Sequence, residues 1–174
     1  FAPITYTAKD VGEHVYTVVE VNDGKGGVSY DQTVHTITVK VEDNGLGELV
    51  VSTTGADAVE FHNTYAAAPV TVGFSGNKTW YNTDLEQNKT LSGGEFTFEL
   101  YATDENYSYQ GAQVATTTNA ADGSFSMGFT YDKAGHYYYL LREQYGEDSA
   151  VGYDATAYQI HIVVYDNGQG QMVG

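Results

Sequence analysis

The chain has 174 residues, with 23 acidic and 7 basic side chains, a formal charge of −16 and no cysteine. Such a charge repels nucleic acid and anionic membrane surfaces. The lack of cysteine excludes disulfides, thiolate metal sites, cysteine nucleophiles and Cys–Gln thioesters. Twenty glycines, two prolines and 16 tyrosines, set among many Val and Thr residues, give the rhythm of short strands and turns rather than of helices. The expectation is an all-β protein. No stretch nears the roughly 18 apolar residues of a membrane-spanning helix, and no signal-peptide pattern is read in these residues. The chain starts at Phe1 in what reads as mid-domain, so it is expected to be an excerpt of a longer precursor.

In chain order, residues 16–20 (Tyr-Thr-Val-Val-Glu) form the first apolar run, which ends in a carboxylate. Residues 34–41 alternate apolar and polar side chains at period two, the pattern of a half-buried strand. Asp43-Asn44-Gly45 marks a tight turn, since Asn-Gly tolerates positive φ, and residues 49–51 supply the return strand of a hairpin. Residues 59–63 are expected to lie on the last strand of their domain. Residues 72–80 place Lys78 beside Phe74 and Trp80 in a predicted strand. Residues 95–101 alternate again, with Phe96, Phe98 and Leu100 on one face. Residues 106–124, polar and rich in Thr and Ala, read as a loop or a loosely paired edge. Residues 139–143 and 158–164 then return to the first two strand patterns, and Asp166-Asn167-Gly168 to the turn.

That return is an internal repeat. Residues 12–50 align without gaps on residues 135–173 at a constant offset of 123 (Gly135 against Gly12), pairing Tyr16 with Tyr139, Glu20 with Glu143, Asp31 with Asp154 and Ile37 with Ile160. Two differently cut copies of one domain follow. Residues 1–68 are expected to be the C-terminal part of a first β-sandwich repeat. Residues 69–174 are expected to be a second repeat that lacks its last strand. The junction, Tyr65-Ala-Ala-Ala-Pro69, is too short for a flexible linker, so the domains should abut. Strands at this spacing suggest immunoglobulin-like sandwiches in tandem.

With the copies overlaid, three positions stand out chemically: Lys78, set among aromatic residues; the carboxylate Glu20 or Glu143, closing a strand of Tyr, Val and Leu; and Asn63, in Val59-Glu-Phe-His-Asn63. Gly-Glu-Phe-Thr-Phe-Glu-Leu (94–100) and Gly-His-Tyr-Tyr-Tyr-Leu-Leu-Arg-Glu (135–143), with the equivalents at 12–20, the run from Tyr30-Asp31 to Gly45, and Phe61-His-Asn63, resemble the streptococcal pilin isopeptide-linkage domains. These occur in T-antigen-like backbone pilins and related Gram-positive surface proteins. Lys78-Thr-Trp80 is also similar to the lysine strand of the allied CnaB-type stalk domains.

The resemblance implies a bond between a Lys on the first strand and an Asn on the last, assisted by a buried acid. By position these roles fall to Lys78, to Glu20 and Glu143, and to Asn63. General chemistry agrees. A low-dielectric core favours a neutral, nucleophilic amine and a protonated acid that polarises the Asn carbonyl and shuttles protons as ammonia leaves. Folding supplies the proximity, so no external enzyme is needed. Lys78 and Asn63 belong to different domains and are not expected to bond each other. The counterpart of Asn63 falls near position 186, and that of Lys78 about 45 residues before Phe1. Lys89, in a Ser/Gly/Asn-rich turn, is the rival lysine and is expected to be exposed.

The leading reading is a structural stalk or pilin-type repeat outside a Gram-positive cell wall, acting as a single-turnover cross-linker and not as an enzyme on external substrates. No cofactor or metal is expected. The expected partners are neighbouring repeats, other pilin subunits and a host-surface ligand. Nucleic acid and membrane insertion are not expected. Two alternatives stay open. One is an adhesin whose Tyr101, Tyr107, Tyr109, Tyr137 and Tyr138 stack on sugars or pack on a protein. The other is a calcium-stiffened cadherin-like repeat built on residues 21–27 and the Asp-Asn-Gly turns, although the ligand spacing of a strong calcium loop is absent.

Overall fold

The computed structural model describes residues 2–174, the side chains of residues 109–111 excepted. The protein is all-β, with two short 3₁₀ turns at Ala8–Asp10 and Ala56–Ala58. It divides into two compact units, Phe1–Ala66 and Ala67–Gly174. This division lies two residues before the boundary expected from the sequence. The reason is local: Ala68 accepts a 2.8 Å bond from the Met172 N–H and donates one of 2.8 Å to the Gly170 carbonyl, which ties it to the second unit.

In the first unit β1 (Gly12–Val18), β3 (His35–Asp43) and β4 (Leu49–Thr54) form an antiparallel sheet in the order β1-β3-β4, and β2 (Val28–Ser29) pairs with β5 (Thr64–Tyr65). The alternation of β3 buries Val39 and Val41. The β3–β4 turn is built by its own side chains. Asp43 Oδ1 accepts the Gly45 N–H at 2.8 Å and Asn44 Oδ1 accepts the Leu46 N–H at 2.8 Å, while Gly45 takes a φ of 76°. These short acceptors fix the turn, and the turn fixes the register.

The second unit contains β6 (Val70–Asn77), β7 (Tyr81–Asn82), β8 (Gln87–Asn88), β9 (Thr97–Thr103), β10 (Tyr109–Thr118), β11 (Ser124–Tyr131), β12 (Gly135–Glu143), β13 (Ala157–Asp166) and β14 (Met172–Val173). A five-stranded sheet runs β10-β9-β12-β13-β14, a second sheet pairs β11 with β6, and β7 with β8 forms a small hairpin. The core is a sandwich. Phe98, Leu100, Tyr139, Leu141, Ile162 and Val164 of the larger sheet meet Met127 and Tyr131 of β11, with Val70, Val72 and Phe74 of β6 packed against them. The β12–β13 pairing sets Gly135 against Val164 and Tyr139 against Ile160. The β1–β3 pairing sets Gly12 against Val41 and Tyr16 against Ile37, the same register at the repeat offset.

Residues 106–124 hold a full strand, β10, at the sheet edge. Its pairing with β9 shifts register between Tyr109 and Gln113 and again between Gln113 and Ala115. Of the two readings offered by its polar, Thr-rich sequence, the paired edge is the one found. Such bulges and polar side chains blunt an edge that would otherwise recruit further strands.

Candidate functional site

In the second unit, the pleat of β12 carries a carboxylate into the core. Tyr139, Leu141 and Glu143 lie two residues apart on one face, and all three are buried. Lys78 lies one residue beyond β6, not within it, yet its N–H donates to the Gly123 carbonyl at 2.8 Å and so extends the β6–β11 ladder. Gly123 has a φ of 84°, and a Cβ there would stand 2.3 Å from the Lys78 carbonyl oxygen. Only glycine lets the turn approach Lys78 this closely. Lys78 Nζ thereby lies 2.7 Å from Glu143 Oε2, in an ion pair whose side chains are 14% and 4% exposed.

The ammonium also stands 4.3 Å from the centre of the Phe96 ring, which packs edge-on with Trp80 and Tyr153. The other oxygen of Glu143 accepts the Asp154 N–H at 3.4 Å. The Asp154 carboxylate is held below its usual range by hydrogen bonds from the Thr156 hydroxyl and N–H. A cavity of about 480 Å³ borders Phe74, Lys78, Phe125, Glu143 and Asp154.

The first unit holds the other expected pair, Glu20 and Asn63. Glu20 lies two residues past β1, continuing the face of Tyr16 and Val18, and its Oε1 accepts a 2.5 Å bond from Asn63 Nδ2. Asn63 immediately precedes β5 rather than lying on a long last strand. Its Oδ1 accepts the Asp31 N–H at 2.9 Å. A backbone N–H can only donate, so the amide oxygen must face it, and the amide nitrogen is left to meet the acid. The arrangement therefore differs from the expected donation of Glu to the Asn carbonyl: the acid faces the amide nitrogen, and a backbone donor faces the oxygen.

Asp31 fixes this geometry. Its carboxylate accepts the Thr33 hydroxyl and N–H at 2.5 and 2.8 Å and the His62 N–H at 2.9 Å. These bonds, the Thr33 hydroxyl foremost, lower its pKa to about 2. Glu20 Oε2 is buried and has no hydrogen-bond partner among the described residues.

Both ends of the Asn63 amide are thus held, its oxygen by a backbone N–H and its nitrogen by the Glu20 carboxylate. The family model described as the Spy0128-like isopeptide-containing domain, FctA, matches residues 1–66 and 74–174. The chain belongs to the FctA family. It is thus a pilin-type structural domain of the isopeptide class. Glu20 and Asn63 fall in the first matched segment of the FctA sequence, Lys78 and Glu143 in the second. No curated protein and no solved structure gave a match.

Lys89, the rival lysine, is exposed, and its Nζ stands 3.5 Å from the centre of the Trp80 ring. The five tyrosines considered for ligand stacking do not share one surface. Tyr101 is buried, with its hydroxyl bonded to Glu99 at 2.7 Å and to Arg142 at 2.7 Å. Tyr137 packs on Tyr131, whereas Tyr138 stacks on His161 and meets Tyr107 edge-on. The side chain of Tyr109 lies outside the described residues. In residues 21–27, Asp23 pairs with Lys25 and bonds the Tyr30 hydroxyl, and Asn22 Oδ1 accepts the Gly24 N–H.

Two elements escaped the sequence reading. Asp31 and Asp154 were visible only as repeat matches, although each is followed two residues later by Thr, a spacing that favours a local side-chain turn. The Glu99–Tyr101–Arg142 network depends on Arg142 standing opposite Glu99 across β9 and β12, a register that composition does not reveal.

Proposed function

We propose that this FctA chain forms covalently locked stalk repeats of a surface pilin or fimbria, each complete repeat joining a Lys at the end of its first strand to an Asn next to its last. The observation that carries the reading is the pair of half-sites at matching positions. Lys78 sits on Glu143 with the Asp154 N–H beside it, and Asn63 sits on Glu20 with the Asp31 N–H beside it. Merged, they give a neutral Lys Nζ attacking the Asn Cγ. The oxyanion is met by the Asp backbone N–H, and the glutamate passes the ammonium proton to the departing nitrogen. One C–N bond forms, one breaks, and ammonia leaves. The reaction runs once per domain, so this is maturation and not turnover. The partner of Lys78 is supplied by an Asn near position 186, and that of Asn63 by a lysine of a preceding strand. Other pilin subunits are the natural neighbours, and the location is the cell surface.

Linking the first strand to the last passes tension through the bond and spares the sandwich. The bond closes a loop of roughly 110 residues, for which chain entropy gives about 4–5 kcal/mol. Single-molecule pulling on a complete repeat tests the stalk role. The linked repeat should show no unfolding extension, whereas Lys78→Ala should unfold with the full contour length of the domain. Full extension in both would remove the stalk reading.

A further inference from the structure

The five-stranded sheet of the unit Ala67–Gly174 carries two histidines on the face turned away from its core. The pleat of β12 sends Tyr137, Tyr139 and Leu141 inward and His136 and Tyr138 outward, while β13 sends Ile160 and Ile162 inward and His161 outward. His161 stands directly opposite Tyr138 in the register, and both histidines are exposed. His136 Nδ1 lies 2.9 Å from His161 Nε2. The ring centres are 5.1 Å apart and the planes 21° from parallel, so the rings meet nitrogen to nitrogen. The Tyr138 ring lies within 6° of parallel to His161 at 4.4 Å and meets Tyr107 edge-on, which props the His161 ring from the side. The repeat fold does not require the pair. The matching positions of the first unit are Glu13 and Thr38, on strands with the same register. There β4 lies beside β3, with Thr54 next to Thr38, and Glu13 is exposed. A strand at that edge thus flanks the position of His161 and leaves that of His136 open.

We propose that His136 and His161 form a two-histidine binding site for a divalent transition-metal ion, with copper(II) favoured over nickel(II) and zinc(II). The site is independent of the cross-link and uses none of its residues. Imidazole nitrogens bound at about 2.0–2.1 Å lie about 2.9 Å apart across a right angle at the metal, and about 3.4 Å apart in a tetrahedron. The 2.9 Å between His136 Nδ1 and His161 Nε2 suits the right angle, the geometry of tetragonal copper(II) and nickel(II), and copper binds most tightly in the divalent series. Without metal, one of the two nitrogens donates its N–H to the other, whereas a metal needs a lone pair on both. On binding, the donor's proton moves to the second nitrogen of its own ring, and both rings tilt outward until their lone pairs converge on the ion. Two neutral imidazoles bind in this way with no change in their proton count. The open sheet face leaves room for the tilt. No cluster of three or more His, Cys, Asp or Glu side chains suited to a metal occurs among the described residues, so water fills the remaining positions. The formal charge of −16 attracts cations. A bound ion ties β12 to β13.

The test is titration of the chain with copper(II) in a non-coordinating buffer near neutral pH, with calorimetry for affinity and electron paramagnetic resonance for the ligands. The first equivalent should bind more tightly than nickel(II) or zinc(II), and its spectrum should show coupling to two imidazole nitrogens. His136→Asn and His161→Asn should each weaken that step at least about 10-fold, since loss of a residue that only supports a metal ligand already costs this much. Each variant's spectrum should keep at most one imidazole nitrogen. Both histidines are exposed, so the metal-free urea midpoints followed by Trp80 fluorescence should match the parent and show the variants folded. His14→Asn, His35→Asn and His62→Asn remove the other three histidines and should leave the first step unchanged. The proposal is overturned by a first step that survives both substitutions or follows His14, His35 or His62 instead. It is also overturned by a parent spectrum with fewer than two imidazole nitrogens, or by zinc binding more tightly than copper.

Discussion

Removing Glu143 from the unlinked second unit strands a buried ammonium. Lys78 is 14% exposed and Glu143 4%, with 2.7 Å between the charged atoms. Breaking a buried pair by deleting one partner costs about 3–5 kcal/mol, because the remaining charge keeps its desolvation penalty without its counterion. Lys78 retains the Phe96 ring at 4.3 Å and a little water, so the lower end, about 3 kcal/mol, applies to Glu143→Ala. In a unit of this size that lowers Tm by roughly 12–24 °C. Replacing both residues, Lys78→Met with Glu143→Leu, removes both desolvation penalties and should fall within about 1 kcal/mol of the parent or exceed it. Urea unfolding followed by Trp80 fluorescence is the assay. Trp80 is the only tryptophan and packs on Phe96 beside the pair, so it reports this unit alone. A single mutant within about 1 kcal/mol of the parent, or a double mutant as damaged as the single, would refute the buried-pair reasoning.

Gly123→Ala should destabilise the same unit by about 1–3 kcal/mol, from a strained φ of 84° and a Cβ 2.3 Å from the Lys78 carbonyl; an unchanged urea midpoint would contradict it. Glu95 has its pKa lowered to about 2, by the Asn119 amide first and then the Ser92 N–H. Its stabilising contribution is therefore complete above its ordinary value of 4.5 and is lost as pH falls toward 2. Urea midpoints across that window should fall less steeply in Glu95→Gln, and identical slopes would exclude the role. Lys89→Ala should cost about 0.5–1 kcal/mol through loss of the cation–π contact with Trp80, well short of the Glu143→Ala effect; a larger loss would make Lys89 the structural lysine.

The β-sheet character and the hairpin at Asp43-Asn44-Gly45 were legible because each is local, whereas the burial of Glu143 was expected only from the family resemblance. Period-two alternation carries a side chain to a known face, and Asn-Gly specifies its own turn. The positions of Lys78 and Asn63 were harder. Lys78 lies just after β6 and Asn63 just before β5, held by the Gly123 carbonyl and by the Asp31 N–H respectively, contacts made across the fold. The role of Asp31 was hidden for a further reason. Its part in the site is played by a backbone N–H, which every residue but proline carries, so only geometry singles it out. For residues 106–124 composition left a loop and a loosely paired edge both open, since Thr-rich polar sequence serves either, and the structure has the edge strand.

The claim that most needs a direct measurement is the bond itself. Fusing residues 52–65 of this sequence after Gly174 completes the second repeat at the offset of 123 and brings an Asn to position 186. The intact mass of the folded product should be about 17 Da below the sequence mass, one ammonia lost, with a cross-linked peptide joining Lys78 to that Asn. The loss should vanish in Glu143→Ala. A folded, protease-resistant product at full sequence mass would contradict the account.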